Sequence, residues 1–158
     1  MKLDLKERLA LRYQLLILEK LYPEDEEHYA NHRKAIEDGY ELHYSWLTEG
    51  FSEGLSSEDC KFVLDVLEMH SALYFSFNAL SNPTELTFDA VRFRGFDGNY
   101  ESMFMSYTIY FIEDLKRFIE IRENSNGIYN SHVPLEPRYR LMLERYKVYD
   151  VDRRYKLI

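Results

Sequence analysis

Cys60-Lys-Phe-Val-Leu-Asp-Val-Leu-Glu-Met-His-Ser-Ala-Leu-Tyr-Phe-Ser-Phe-Asn-Ala-Leu80 is the stretch that decides the fold. It is long enough for about six helical turns. Its apolar residues (Phe62, Val63, Leu64, Val66, Leu67, Met69, Leu73, Tyr74, Phe75, Phe77, Leu80) reach nearly all round that helix, and Lys61, Asp65 and Glu68 form only a thin polar seam. A helix apolar on most sides is a central one, wrapped by its neighbours. Ser56, followed by Asp59 three residues later, has the pattern of a cap and sets the start. Asn82-Pro83 sets the stop, because proline cannot continue a helix.

The segments on either side are read against this one. Asp4 and Glu7 frame the start of a first helix, Leu5 to Tyr22, which Pro23 ends. Leu9, Tyr13, Leu16, Ile17 and Leu21 form one stripe on it, and Leu11, Leu15, Leu18 and Tyr22 widen the stripe to a width that calls for two packing partners. Glu24-Asp-Glu-Glu27 places negative charge on the first turn of a second helix, where the helix dipole favours it. That helix turns Tyr29 and Ile36 inward and stops near Gly39. His28 and His32 share one of its faces at chelating spacing, but a solvated face with two incidental histidines is the stronger reading without a third ligand.

Two segments show a period of two. Tyr40, Leu42, Tyr44 and Trp46 alternate with polar residues, as do Val91 and Phe93 with Arg92 and Arg94. They read as short strands that can pair into one small two-stranded β ribbon against the helices, although Tyr44 and Leu47 equally suit a helical turn. A fourth helix is expected from Tyr100 to Arg122, capped by Asn99, with Met103, Phe104, Tyr107, Phe111, Leu115 and Phe118 facing inward. After a loop rich in Asn, Ser and Gly, a last helix carries the stripe Tyr139, Met142, Leu143 and Tyr146. The fold class is therefore all-α, with residues 1–158 read as a single domain.

Composition narrows the function. The 158 residues carry a net charge of −8, which argues against direct nucleic-acid binding. The charge is uneven: residues 138–158 hold seven basic and three acidic side chains, and this end is expected to dock on the protein's own acidic surface or on a sister subunit. No apolar run is long enough to span a membrane. A single cysteine, Cys60, and an N-terminus without a signal-like apolar stretch suggest the cytoplasm. Aromatic-rich helices and the opposed charges suggest a homodimer. There is no Gly-x-Gly-x-x-Gly, no P-loop and no Gly-x-Ser-x-Gly.

One constellation has chemical potential. Asp97, Asn99 and Glu101 stand at a helix start, and Asn130 and His132 in the later polar loop. If the fold brings them together they form a ligand-binding site. Asp97, Glu101 and His132 alone can also be read as the centre of a metal- or carboxylate-dependent enzyme. The structural alternative assigns Asp97 to closing the turn, Asn99 to capping, Glu101 to the positive helix end, and Asn130 and His132 to the loop backbone. Cys60 and His70 read as buried residues of the central helix.

Phe93-Arg-Gly-Phe-Asp-Gly-Asn-Tyr-Glu101, Leu9-Ala-Leu-Arg-Tyr-Gln14, Leu64-Asp-Val-Leu-Glu-Met69 and Asn130-Ser-His-Val-Pro134, followed by Tyr139-Arg-Leu-Met-Leu143, together resemble the YfbU family. The resemblance covers roughly residues 8 to 146. It implies a mostly helical, largely bacterial domain without an assigned activity. Fusion of some members to a DNA-binding segment implies a regulatory module that binds a partner or small ligand. No cofactor is implied.

Overall fold

The structure, a computed structural model, describes residues 1–81 and 86–147. All regular elements among these residues are helical, and the chain divides into two compact units, Met1–Gly54 and Leu55–Ile158.

In the first unit, α1 (Leu5–Leu21) begins at the expected reciprocal cap. Asp4 Oδ1 accepts from the amides of Lys6 and Glu7, and Glu7 Oε2 accepts from the Asp4 amide at 2.8 Å. A 3-10 turn, Pro23–Asp25, leads into α2 (Glu26–Asp38), which Gly39 ends in the left-handed conformation at φ 76°. Arg8 donates to the carbonyls of Ile36 and Glu37, tying α1 to the end of α2. Leu15, Ile36 and Tyr44 form the core here, with Leu11, Leu18, Tyr29 and Leu47 packed against them.

The strand expected over Tyr40–Trp46 is a 3-10 helix, Glu41–Thr48. Its period is three, so Tyr44 and Leu47 turn inward while Leu42 and Trp46 are exposed. Alternation of large and polar residues mimicked a strand, and closure of the His43 amide on the Tyr40 carbonyl decides for the turn.

In the second unit, α3 (Ser57–Asn78) is the central helix, capped by Ser56 Oγ accepting from the Asp59 amide. Phe62, Val63, Val66, Leu67 and Met69 are buried in one cluster with Phe93, Phe96, Ile112, Ile121, Tyr129, Leu135, Tyr139 and Leu143. The expected stop, Asn82-Pro83, lies outside the described residues. The second expected strand is also corrected. A short helix, α4 (Phe88–Val91), is followed by extended chain whose one bridge joins Phe96 to Asn130, so no ribbon forms among the described residues.

The fourth helix is interrupted. α5 (Ser102–Ile109) passes into a π-helical segment, Tyr110–Asp114, and ends in a left-handed Lys116 before α6 (Ile119–Ser125) begins after a left-handed Phe118. The Arg117 amide reaches back to the Phe111 carbonyl, closing the end with a residue other than glycine in the left-handed place. One extra residue in the π turn rotates the inner face. Thr108 and Ile112 are buried, whereas Met103 and Leu115, expected inside, are exposed. The last helix, α7 (Glu136–Lys147), buries Tyr139 and Leu143 as its stripe predicts. The basic end continues beyond it into residues outside the described range; within that range Lys147 sits 3.3 Å from Asp65. No helix among the described residues is long and apolar enough to cross a membrane.

Candidate functional site

The two polar segments singled out in the sequence meet. Backbone bonds cross between them, from the Phe96 amide to the Tyr129 carbonyl and from the Ser131 amide to the Phe96 carbonyl, at 3.0 and 3.1 Å. Gly95 makes the approach possible. Its φ is 86°, and any Cβ there would overlap the Tyr129 carbonyl. Across the junction the Tyr139 hydroxyl donates to the Gly95 carbonyl, anchoring α7 to the same loop.

Side chains complete the knot. Asp97, 2% exposed, accepts at Oδ1 from the amides of Asn99 and Tyr100, each at 2.8 Å. It closes the turn ahead of α5, the role the structural alternative gave it, whereas Asn99, expected to cap the helix, has an exposed side chain, and α5 begins at Ser102 without a side-chain cap. Glu101 is buried and uses both oxygens: Oε2 accepts from the Asp97 amide at 2.8 Å and Oε1 from the Glu136 amide at 2.7 Å. It therefore caps the start of α7 rather than serving the dipole of the helix it precedes. Asn130 Oδ1 accepts from Gly98 and His132 amides at 3.1 and 2.9 Å. His132 is exposed and left-handed at φ 57°.

Chemically, this arrangement fixes a loop. The buried carboxylates face neutral amides, and His132 lies on the surface. Among the described residues no three His, Cys, Asp or Glu side chains gather in a way that could hold a metal ion. Sequence reasoning missed Gly98, where a Cβ would press on Asn130 Nδ2 at 2.7 Å, and Glu136, which enters through its backbone. The Asp97-Gly98 turn dipeptide was a usable signal for the first. Nothing local signals the second.

The sequence model of the YfbU domain matches residues 1–158, the full length given. The chain belongs to the YfbU family. Around the knot, this YfbU domain shifts several titrations through burial. His70 in α3 donates from Nδ1 to the Val91 carbonyl at 2.9 Å, while its buried Nε2 has no partner; burial holds its pKa down at about 4, so the ring is neutral. Burial, reinforced by the hydrogen bond to Glu113, pushes Tyr129 up to about 12. The same bond, with Arg122 beside it, holds Glu113 below the usual carboxylate range. Burial also raises Tyr139.

Each unit also carries a groove. In the second unit a groove of about 340 Å³ runs between α3 and α7, with Phe62 and Leu143 among its apolar lining and Lys61, Asp65, Arg140 and Lys147 around it. The Arg140 guanidinium sits 4.3 Å from the centre of the Phe62 ring. In the first unit a groove of about 330 Å³ is lined by His28, His32 and Trp46 together with Leu11, Leu15 and Leu18 of α1. The rings of His28 and His32 lie 4.3 Å apart, tilted by 51°, and His32 Nδ1 is 2.8 Å from the His28 carbonyl.

Proposed function

We propose that this YfbU domain is a non-catalytic binding module of the cytoplasm, acting over residues 1–158 as one domain and as a homodimer in a regulatory role. The observation that carries the reading is the double engagement of Glu101 and Asn130 with backbone amides. Oxygens held this way are already occupied by the backbone they fix. They are good scaffolding, since a binding site needs its contacts held by a rigid layer beneath them. Asp97, Glu101 and Asn130 are that layer in this reading, and the exposed Asn99 and His132 are the side chains that contact a small ligand. The regulatory role rests on the family resemblance.

Native mass spectrometry of the purified chain tests this. A retained small molecule that is lost in Asn99→Ala and His132→Ala, with melting curves of the ligand-free proteins unmoved, supports the assignment. Retention that survives both substitutions places the ligand elsewhere, and a chain that carries nothing overturns the ligand-binding reading.

A further inference from the structure

Helix α1 has two apolar faces, and the unit it belongs to supplies a partner for only one. Leu11, Leu15 and Leu18 pack with Ile36 and Tyr44. On the opposite side Leu5, Leu9, Tyr13, Ile17 and Leu21 run the whole length of the helix, each between 51% and 77% exposed. A stripe this long is far beyond the scattered single hydrophobes of an ordinary surface.

We propose that this face is the interface between two copies of the chain, the two α1 helices crossing antiparallel about a two-fold axis beside Tyr13. The inference deepens the homodimer reading above and rests on it. The stripe is close to a palindrome. In an antiparallel pair Leu5 falls opposite Leu21 of the second copy, Leu9 opposite Ile17, and Tyr13 opposite Tyr13. A two-fold interface must be self-complementary in this way, because each patch meets itself reversed. Few partners of unrelated sequence would require that symmetry.

Spacing and charge set the angle. Residues four apart form the ridge that packs between the same ridges of a second helix at about −50°. Lys6 and Lys20 stand seven positions on either side of Tyr13, so a nearly aligned pair would put Lys6 of each copy against Lys20 of the other. A steep crossing splays these ends apart into solvent, and Lys20 is already paired with Glu26. The five apolar side chains expose on the order of 100 Å² each, roughly 1,000 Å² over both copies, and the crossing buries the central share of it, from Leu9, Tyr13 and Ile17. The unit also has reason to gain a partner, since a unit of 54 residues whose core is built on Leu15, Ile36 and Tyr44 is small for independent stability.

Sedimentation and cross-linking test it together. The wild-type chain at tens of micromolar should sediment as a dimer, and Ile17→Glu should weaken association by about thirtyfold or more, as loss of a central contact does. In a Cys60→Ser background, which removes the native cysteine, Tyr13→Cys should form an intermolecular disulfide with itself, since residues on the axis come within bridging distance. Leu5→Cys, whose counterpart lies at the far end of an antiparallel pair, and Leu42→Cys, which is 84% exposed on a different element, should not. A monomeric wild type overturns the homodimer reading and this interface with it. A dimer that Ile17→Glu leaves intact, in which Tyr13→Cys bridges no faster than Leu42→Cys, overturns the interface alone. The cross-linking variants keep the proposal testable if Ile17→Glu fails to fold.

Discussion

Replacing Glu101 by alanine is the sharpest test of how the polar knot works. The carboxylate holds two amides at 2.8 and 2.7 Å, one at the start of its own turn and one 35 residues on at the first residue of α7. Hydrogen bonds to charged groups contribute about 1.5–3 kcal/mol each. The Asp97 amide is walled off from water once its acceptor is gone, whereas the half-buried Glu136 can recruit solvent. Glu101→Ala should therefore destabilise by about 3–5 kcal/mol. Glu101→Gln keeps the shape but turns an amide donor toward one of the two N–H groups, so it should recover only about half of that loss. Urea denaturation followed by far-UV circular dichroism gives the free energy. Hydrogen exchange at the Glu136 amide gives the local readout, since its protection should fall before that of the α3 core. A change within about 0.5 kcal/mol, the range of ordinary surface sites, would refute the reasoning.

Further outcomes follow from other groups. His70 is neutral in the fold, with a pKa of about 4 against an ordinary 6.5. Below the ordinary value the unfolded chain takes up the proton first, so this histidine removes stability as pH falls from about 6.5 toward 4. Between pH 7 and pH 5 the wild type should lose about 2 kcal/mol more than His70→Gln in urea titrations, and equal losses would contradict the assignment. Gly95→Ala should cost about 3 kcal/mol or more, since it combines a disfavoured φ with overlap on the Tyr129 carbonyl, and a near-normal melting temperature would show that the loop yields. Leu67→Ala, at a fully buried position of α3, should cost about 2–5 kcal/mol by chemical denaturation.

The limits of the sequence reading have identifiable causes. Helices α1, α3 and α7 were legible because their apolar residues recur at helical spacing and their starts carry side chains that cap locally, as Asp4, Glu7 and Ser56 do. The break after Asp114 was not, because the left-handed positions are filled by Lys116 and Phe118 where glycine would have announced them. The Tyr40–Trp46 segment misled because large residues at alternate positions also satisfy a period of three through Tyr44 and Leu47. In the candidate site, the encounter of the Asp97–Glu101 and Asn130–His132 segments was legible from their shared polarity. The division of labour inside it was not. Spacing identifies a cap for the next helix but cannot reveal that Glu101 serves a helix beginning at residue 136.

That long-range bond has a consequence for how the chain is made. As the protein emerges during synthesis, the carboxylate of Glu101 appears well before the amide it will hold, with 35 residues still to be added. At about 5–20 residues per second this is a delay of a few seconds. Until it ends, Phe62, Phe93 and Phe96 lack the Tyr139 and Leu143 side chains that help to cover them in the finished core. Tyr139 and Leu143 are thus the last described members of this cluster to be made, and the Phe93 and Phe96 rings gain their Tyr139 contacts only then.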